Sequence, residues 1–280
     1  MSSSAPRSCV IGYPAKHSRS PKIHGYWLDR HGIEGHYGIE EISPEGFADF
    51  VSKLSEHGYV GANVTMPHKE AALRLSTPDQ RAKSVGVSNT LWFDKAGTLN
   101  STNTDVEGFI GALDANAPGW DKKSTSAVVL GAGGAAKAVV YGLLERGLKE
   151  IHVVNRTIEK AQAFREAFGS AVHPVAWSDL PALMKGATLL ANSTSLGMYG
   201  QPALEIDISK MADGAVVSDI VYVPLKTDLL ASAEARGFAT SNGLDMLLHQ
   251  AVRGFELWFG TRPKVTQELF DMVAADIVGG

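Results

Sequence analysis

The sequence predicts an α/β protein with two domains, and the strongest observation lies in the middle of the chain. Residues 126–130 have the composition of a buried strand, residues 137–146 that of a helix, and residues 151–154 that of a second strand. The turn Gly131-Ala-Gly-Gly-Ala-Ala joins the first strand to the helix. Strand, glycine turn, helix and strand in this order form the βαβ unit of a dinucleotide-binding domain.

A second observation is that strands and helices alternate over the rest of the chain, which predicts parallel sheets. Four more segments have strand character: residues 8–11, 61–64, 187–191 and 215–221. Further segments have helical character, among them those from Pro21, from about Pro67 and over residues 225–236. Gly147 is placed to end the helix over residues 137–146, because glycine adopts the left-handed conformation common just after a helix.

The same pattern suggests how the two domains are connected. Residues 116–125 contain Pro118, Gly119 and several polar residues, and are the predicted junction. Residues 244–277 are predicted as helices that are free to pack back on the first domain.

Composition excludes several classes of protein. The chain has 280 residues, of which 44% are hydrophobic and 20% charged, so it is neither collagen-like nor disordered. A net charge of -4 argues against a coat for nucleic acid or anionic membrane. One cysteine excludes an intrachain disulfide. Residues 1–7 are polar, and no apolar run approaches the ~20 residues that span a bilayer, so a cytoplasmic protein is expected.

Histidines recur every seven residues at His17, His24 and His31. No acid or cysteine set near them completes a metal site, so a solvated helix face is the simpler interpretation and no metal is expected.

The glycine turn favours a dinucleotide site over an ordinary turn, because it follows a strand and opens a helix. Gly131, Gly133 and Ala136 are small where the backbone must approach a pyrophosphate, and the amides of the next helix then face the phosphates.

The residues that follow the second strand of this βαβ unit indicate which dinucleotide binds. NAD sites usually carry Asp or Glu there, whereas this chain has Asn155-Arg156-Thr157, with Lys160 one turn later. Arginine binds a 2′-phosphate through its planar fork, so the position favours NADP. The alternative is that Arg156 and Lys160 form a solvated surface pair.

Hydroxyls precede the first helix in His17-Ser18-Arg19-Ser20-Pro21. Pro21 suits the first helical position and Ser20 the N-cap, so capping alone explains the segment. The functional alternative is that Ser18, Ser20 and the helix N-terminus bind an anionic, hydroxylated ligand.

Lys69 is expected in the first turn of the helix that Pro67 opens. The helix dipole disfavours a cation there, so a structural choice would more often be Asp or Glu, and Lys69 becomes a candidate for proton transfer. Asp105 follows Asn103-Thr104 at the start of another predicted helix. It is either a favourable first-turn acid, next to a capping box of Thr104 and Glu107, or a carboxylate that holds the Lys69 ammonium.

Taken together, these segments resemble the shikimate dehydrogenase family over residues 11–259. The matching stretches of the first half are His17-Ser-Arg-Ser-Pro21, Gly61-Ala-Asn-Val-Thr-Met-Pro-His-Lys69, Asn89-Thr90 and Asn103-Thr-Asp105. Those of the second half are Gly131-Ala-Gly-Gly-Ala135, Asn155-Arg-Thr157, Asn192-Ser-Thr-Ser-Leu-Gly-Met198, Asp219-Ile-Val-Tyr222 and Asn242-Gly-Leu-Asp-Met-Leu247 with Gln250. Each stretch by itself occurs in many proteins, but all of them together, in this order and at this spacing, are specific for the family.

The resemblance implies NADP-linked interconversion of 3-dehydroshikimate and shikimate, on the route to chorismate and the aromatic amino acids. It implies that Ser18 and Ser20 hold the substrate carboxylate and that Lys69 is the acid/base, paired with Asp105. The residues implied to bind the ring hydroxyls are Thr65, Lys69, Asn89, Asp105 and Gln250, with Tyr222 beside them.

The resemblance also implies how NADP is held. The residues implied to contact it are Gly131, Ala132, Gly133, Gly134, Ala135, Asn155, Arg156, Thr157 and Lys160, with Ile220, Gly243 and Met246 near the nicotinamide. The implied substrate-binding and catalytic domain spans residues 1–107 and is completed by the C-terminal helices, 244–280. The implied Rossmann-like NADP domain spans residues 108–243.

Two alternatives remain open, a quinate or dual quinate/shikimate dehydrogenase and a non-catalytic pathway sensor. Arg156 and Lys160 argue against NAD, which quinate enzymes often use, and the presence of both Lys69 and Asp105 argues against a sensor. The expected partner is the small-molecule substrate, with no nucleic acid or membrane, in a monomer or homodimer.

Three residues depart from the family's usual ones. Tyr13 replaces Asn and Ser88 replaces Val, and both are expected to adjust the substrate pocket. Ile220 replaces Met and is expected to alter packing against the nicotinamide.

Overall fold

Two α/β units make up residues 5–279, the part of the chain that the computed structural model describes. The first unit runs to Thr104 and includes Gln250–Val273, and the second contains Asp105–His249 and the segment from Ala274. The predicted α/β class with two units is therefore confirmed. What each unit binds stays a prediction.

A six-stranded mixed sheet forms the centre of the first unit. Its strands are β1 (Arg7–Gly12), β2 (His36–Glu41), β3 (Tyr59–Val64), β4 (Thr77–Pro78), β5 (Thr90–Phe93) and β6 (Leu99–Thr102). Their spatial order is β2-β1-β3-β5-β6-β4. β1 is parallel to β2 and β3, whereas β5 is antiparallel to β3 and β6. Thr90 at the start of β5 is paired with Asn63 near the end of β3 and with Thr102 at the end of β6. These three strand ends therefore lie side by side at the same end of the sheet.

Four helices connect these strands: α1 (Ser20–His31), α2 (Phe47–Ser52), α3 (Lys69–Arg74) and α4 (Gln80–Val85). α1 buries Ser20, Ile23, His24, Trp27 and Leu28, which lie on one face because the last four follow Ser20 by three, four, seven and eight residues. It ends at Gly32, whose positive φ of 61° is favourable for glycine.

An aromatic cluster surrounds His24 in the first unit. The ring of His24 stacks on Tyr37 with centroids 4.0 Å apart and lies near Trp27, Phe255 and Trp258. His24 is fully buried, and this burial lowers its pKa to about 3. The expected solvated face is therefore wrong for His24, which is a neutral core residue.

The second unit has a six-stranded sheet that is entirely parallel. Its strands are β7 (Ala127–Leu130), β8 (Ile151–Asn155), β9 (Val172–Ala176), β10 (Leu189–Asn192), β11 (Val216–Asp219) and β12 (Ala239–Ser241). The spatial order is β12-β11-β10-β7-β8-β9, in which the direction of winding reverses between β7 and β10. Ligands of such sheets bind at the carboxyl ends of the strands beside this reversal.

Helices cover both faces of this sheet. They are α5 (Asp105–Asn116), α6 (Trp120–Lys123), α7 (Gly134–Glu145), α8 (Ile158–Phe168), α9 (Leu180–Leu183) and α10 (Asp228–Ala235), with a 3-10 turn at Trp177–Asp179. Side chains of α5, α7 and α8 pack with the strands in one apolar cluster, and those of α9 and α10 pack in another. α7 ends as predicted, because Gly147 has a φ of 90°.

Residues 116–125 lie inside the second unit and do not form a junction. Trp120 is buried in the apolar cluster, and its indole nitrogen donates to Asp114 over 2.9 Å. Gly119, with a φ of 78°, forms the turn that starts α6. The glycine and proline of this segment therefore shape a packed turn, because a buried tryptophan anchors it.

Two helices follow, α11 (Gly243–Phe259) and α12 (Gln267–Gly279). In the first unit, the Trp258 indole donates to the carbonyl of Leu91 over 2.8 Å, and a side chain at Gly61 would overlap that indole. The Trp27 indole donates to the carbonyl of Lys264 over 3.1 Å. Residues far apart in sequence thus close the core of this unit.

Candidate active site

The serine segment begins α1 in a different way from the one predicted. Ser20 is the first helical residue and Arg19 the N-cap, so neither Ser20 at the N-cap nor Pro21 at the first position is correct. The Ser18 hydroxyl accepts from the Ser20 amide over 3.3 Å, directly before the helix. Ser18 is half-buried and Ser20 buried.

Glu41 fixes the loop before these serines. Its Oε1 accepts from the amides of Ala15 and Lys16 at 2.8 and 3.1 Å. These bonds hold the pKa of the Glu41 carboxyl below its usual range, because they stabilise the charged form. The carboxylate thereby orders the turn that leads to Ser18.

Lys69 is the first residue of α3, as predicted, although the helix starts two residues after Pro67. The start is anchored by His68, which stacks on Phe47 with centroids 4.3 Å apart and contacts the carbonyl of Ile42 through Nε2 at 2.7 Å. Thr65 is held by its amide, which donates to the carbonyl of Ile11 over 2.9 Å. The chain between Thr65 and Lys69 is therefore fixed at both ends.

Asn89 lies at the centre of a buried polar cluster in the first unit. Its Oδ1 accepts from the Thr104 amide at 2.7 Å, from the Thr104 hydroxyl at 3.2 Å and from the Thr90 hydroxyl at 3.1 Å. The Thr104 hydroxyl also lies 3.4 Å from Oε1 of Gln250. Three donors on one oxygen fix the orientation of the Asn89 amide.

Backbone contact ties Lys69 to this cluster, because the amide of Ser88 donates to the carbonyl of Lys69 over 3.0 Å. The structure thus brings together Lys69, Asn89 and Gln250 within the first unit. Asp105 begins α5 directly after Thr104 and belongs to the second unit. Its pairing with Lys69 stays a prediction.

Ser88 does not line a pocket, in contrast to the expectation. It is fully buried, and its hydroxyl bonds to that of Ser101 at 2.7 Å, to which Ser76 also donates at 2.7 Å. A serine is tolerated at this buried position because the Ser101 hydroxyl provides a hydrogen-bond partner for the Ser88 hydroxyl. Tyr13 is 55% exposed, so its role in a substrate pocket stays a prediction.

In the second unit, the glycine turn at the end of β7 leaves space beside its backbone. Gly131 has a φ of 97°, and a side chain there would press on Ser193 and Thr194. In contrast, side chains at Gly133 and Gly134 would meet no atom within 4 Å. α7 starts at Gly134, so its first amides lie along this open backbone, where a pyrophosphate fits.

A cleft of about 250 Å³ extends from this turn. Its lining residues are Gly131, Ala132, Gly133, Asn155, Arg156, Trp177, Ser193, Thr194, Ser195 and Leu196. Arg156, Thr157 and Lys160 are exposed around the start of α8, and the Asn155 amide donates to the carbonyl of Thr157 over 2.9 Å. The residues present thus fit a dinucleotide with an anionic group beside its ribose.

Sequence reasoning missed Trp177 and the Ser193–Leu196 loop as lining residues. Asn192 organises this loop by accepting from the Thr194 hydroxyl at 2.7 Å and donating to the Leu196 carbonyl at 3.2 Å. Position could have found the loop, because it directly follows the predicted strand over residues 187–191. Trp177 had no such signal, since β9, which precedes it, was not predicted.

Near the end of β11, Gly243 packs directly on the carbonyl of Ile220 and has no room for a side chain. Met246, one turn later on α11, contacts the apolar cluster, and Tyr222 is half-buried. Asp219 supports this turn, since it accepts from the Val221 amide at 3.0 Å and the Thr227 hydroxyl at 2.8 Å. Burial raises the pKa of Asp219, and these bonds oppose the rise.

Within residues 5–279, no group of three or more potential ligands is arranged to hold a metal ion. Among the same residues, none of the helices has both the length and the apolar character needed to cross a bilayer.

Comparison with known proteins identifies the family. Residues 10–91 match the family model described as shikimate dehydrogenase substrate binding domain, and residues 115–210 match shikimate / quinate 5-dehydrogenase. Residues 243–267 match the shikimate 5'-dehydrogenase C-terminal domain. A Rhodopseudomonas palustris (strain TIE-1) protein named shikimate dehydrogenase (NADP(+)) is 65% identical over 270 residues, 96% of each chain. The chain belongs to the shikimate dehydrogenase family.

Solved structures agree with this membership. Shikimate 5-dehydrogenase from Thermus thermophilus, in complex with NADP(H) and shikimate, is 34% identical with a TM-score of 0.84, over 97% of this chain and 99% of that one. Quinate dehydrogenase from Corynebacterium glutamicum, in complex with NAD, is 29% identical with a TM-score of 0.88 over the same shares. The shikimate dehydrogenase fold therefore serves both substrates, and the fold alone does not select between them.

Proposed function

We propose that this chain catalyses the reversible, NADPH-dependent reduction of 3-dehydroshikimate to shikimate, with Lys69 as the acid/base. The reaction supplies shikimate to the route towards chorismate and the aromatic amino acids. The observation that carries the proposal is the 65% identity to a shikimate dehydrogenase (NADP(+)) over nearly the whole chain. Arg156, exposed beside the glycine-turn cleft, supports the same cofactor from the geometry.

NADP is the cofactor, and the second unit is proposed to hold it. The open backbone at Gly133 and Gly134 and the amides at the start of α7 suit a pyrophosphate. Arg156 and Lys160 suit the 2′-phosphate, because a guanidinium fork and an ammonium both bind phosphate oxygens. When bound, NADPH supplies the hydrogen and the electron pair that reduce the C3 carbonyl of the substrate.

Substrate binding is assigned by carrying the family motif to these positions. Ser18 and Ser20 are proposed to hold the carboxylate. The residues proposed to bind the ring hydroxyls are Thr65, Asn89, Asp105 and Gln250, with Tyr222 beside them. The fixed orientation of the Asn89 amide supports this role, because directional binding of a hydroxyl needs a donor that cannot rotate.

Lys69 is proposed to complete the chemistry at the C3 oxygen. As the C3 carbonyl is reduced, negative charge develops on its oxygen, and the Lys69 ammonium stabilises this charge and donates a proton to it. In the reverse direction the neutral amine removes the proton from the C3 hydroxyl. Asp105 is proposed to hold the ammonium in place. The surroundings of Lys69 support the role, since His68 and Ser88 fix its backbone on both sides.

These assignments give each part of the chain one ligand to bind. We propose that residues 1–107, completed by residues 244–280, bind the substrate, and that residues 108–243 bind NADP. We further propose that the enzyme works in the cytoplasm as a monomer or homodimer. Light scattering of the purified protein checks the oligomeric state, and cell fractionation checks the location.

An assay with two substrates and two cofactors tests the function. Nicotinamide absorbance is followed with the purified protein, offering shikimate or quinate with NADP or NAD. The expected result is reduction of NADP by shikimate, with a clear preference over the other three combinations. Turnover of quinate with NAD would move the assignment to a quinate dehydrogenase. Folded protein without any turnover would support a non-catalytic sensor.

A further inference from the structure

Tyr37 is a buried phenol that the proposed mechanism does not use. It lies in β2, is 5% exposed, and its hydroxyl donates to Oδ1 of Asn63 in β3 over 2.6 Å. Burial raises the pKa of Tyr37 well above its ordinary value, so the phenol keeps its proton and stays a donor. The short bond to Asn63 therefore has a fixed direction.

Ser20 approaches the same phenol oxygen from another element. A side-chain hydrogen bond joins Ser20 to Tyr37 and opposes the effect of burial on the Tyr37 pKa. The phenol has one proton, which it donates to Asn63, so the Ser20 hydroxyl is the donor in this second bond. Tyr37 thus accepts from Ser20 at the start of α1 and donates to Asn63 at the end of β3. It connects two segments that belong to different parts of the proposed substrate site.

Asn63 continues the chain of donors towards Asn89. Its Nδ2 donates to the Thr90 hydroxyl at 3.1 Å and to the Asn89 carbonyl at 3.3 Å. The Thr90 hydroxyl in turn donates to Oδ1 of Asn89 at 3.1 Å. All of these side chains are at most 6% exposed, so water does not compete with the bonds.

Packing of the Tyr37 ring does not explain why this residue carries a hydroxyl. The ring stacks on His24 at 4.0 Å and packs near Trp258, and phenylalanine would fill that space equally well. Removing the hydroxyl would leave Oδ1 of Asn63 without its 2.6 Å donor and Ser20 without its acceptor. A buried acceptor that loses its donor is costly, so Asn63 would be expected to reorient.

We propose that Tyr37 is a positioning residue that joins the serine that binds the substrate carboxylate to the asparagine that binds its ring hydroxyls. This inference rests on the proposed function. The relay Ser20–Tyr37–Asn63–Thr90–Asn89 sets the two subsites relative to each other, because it runs from the start of α1 across β2, β3 and β5 of one sheet. Substrate binding therefore depends on the Tyr37 hydroxyl, whereas proton transfer by Lys69 does not.

The variant Tyr37→Phe tests the proposal, with Tyr59→Phe as the matched control. Tyr59 lies in β3, is also 5% exposed, and donates to Glu40, which is outside the relay. Tyr37→Phe is expected to raise KM for shikimate about three- to ten-fold, the value of one buried hydrogen bond, with kcat and KM for NADP nearly unchanged. Tyr59→Phe should leave all three constants near the wild-type values. An unchanged KM in Tyr37→Phe, or an equal rise in both variants, would overturn the proposal.

A double-mutant cycle separates positioning from a general loss of packing. If Tyr37 acts through Ser20, the KM of Ser20→Ala combined with Tyr37→Phe rises less than the product of the two single effects. Multiplicative effects would contradict the relay. Calorimetric binding of shikimate to the same proteins repeats the test without turnover. Wild-type protein that neither turns over nor binds shikimate would defeat the proposed function itself, whereas active wild type with an unaffected Tyr37→Phe defeats only the relay.

Discussion

The two candidate binding regions are built in opposite ways. In the first unit, side chains from β3, β5, α11 and the residue before α5 meet in one buried cluster, where Asn89 accepts three hydrogen bonds. In the second unit, the cleft is made mainly of backbone at the ends of parallel strands, with glycines that leave space.

This difference predicts how each region responds to substitution. A side-chain cluster should fail when one donor or acceptor is removed, because its buried polar atoms bond to one another and the remaining partner is left unsatisfied. A backbone cradle should tolerate most side-chain changes but fail when a side chain is added where a ligand approaches. The kinetic and glycine predictions below test this contrast, and the last prediction concerns a buried carboxyl group outside both regions.

The largest effect is expected for Lys69→Ala. General acid–base catalysis contributes about 10²- to 10⁴-fold, so kcat should fall by that factor while the Kd of shikimate changes little. Stopped-flow or initial-rate kinetics, with calorimetry for binding, provide the measurement. Lys83→Ala, an exposed lysine on α4 of the same unit, is the control and should keep wild-type kinetics. An unchanged kcat in Lys69→Ala would remove its acid/base role.

The next effect concerns the charge at the end of β8. Arg156→Asp should weaken NADPH about ten- to a hundred-fold, because it loses a charge-assisted bond and adds repulsion, while NADH is affected little. KM values for both cofactors measure this difference. Lys185→Asp makes the same charge change at an exposed position of the same unit and serves as control. Equal losses for NADPH and NADH would mean that Arg156 does not contact the 2′-phosphate.

A pair of glycine variants distinguishes a glycine needed for ligand binding from a glycine needed for folding. Gly133→Ala should leave the melting temperature nearly unchanged, since its side chain would meet no protein atom, yet weaken NADP at least about ten-fold by occupying the pyrophosphate space. Gly243→Ala should instead lower the melting temperature, because its side chain would overlap the carbonyl of Ile220. Calorimetric scans with and without NADP compare the two. The reverse pattern would refute the backbone cradle.

The smallest effect is a pH-dependent change in stability. Burial raises the pKa of Asp245 on α11 to about 6, and bonds to the side chains of Asn116 and Asn242 oppose the rise. Because the folded pKa lies above the ordinary 3.8, stability is greatest below that pH and is lost as pH rises through about 6. Asp245→Asn should therefore be more stable than wild type by about 1–2 kcal/mol near neutrality and equal to it in acid.

Denaturant unfolding over a pH series measures this difference. Asp207→Asn is the control with the opposite sign, because hydrogen bonds from Ser209 hold the pKa of the Asp207 carboxyl below its usual range. It should be no more stable than wild type at neutral pH. A pH-independent gain for Asp245→Asn would mean that the carboxylate is not penalised by burial.

The same contrast explains what the sequence could predict. The glycine turn, β8 and the start of α8 are adjacent in the chain, so local patterns located the cleft and Arg156. The start of α1 was misplaced by one residue, because Arg19 is the N-cap and no side chain caps the helix, so the capping pattern did not apply. Trp177 was missed because only the strand order shows that β9 ends beside this cleft.

The relay from Tyr37 to Asn89 had no local signal at all. It depends on β2, β3 and β5 lying in one sheet with Asn63 opposite Thr90, and this register is formed by segments far apart in sequence. His24 was misjudged for a similar reason, since the aromatic residues around it come from β2 and α11. Family motifs predicted which residues have a role, but only the strand pairing shows how their side chains are connected.

Amide hydrogen exchange of the wild-type protein, with shikimate alone and with NADP alone, tests the central claim that each unit holds one ligand. Shikimate is expected to protect the segments around Ser18, Lys69 and Asn89 and to leave the glycine turn unchanged. NADP is expected to protect residues 131–136 and 155–160 and to leave those first-unit segments unchanged. Protection of the glycine turn by shikimate alone, or of the Asn89 cluster by NADP alone, would contradict the account.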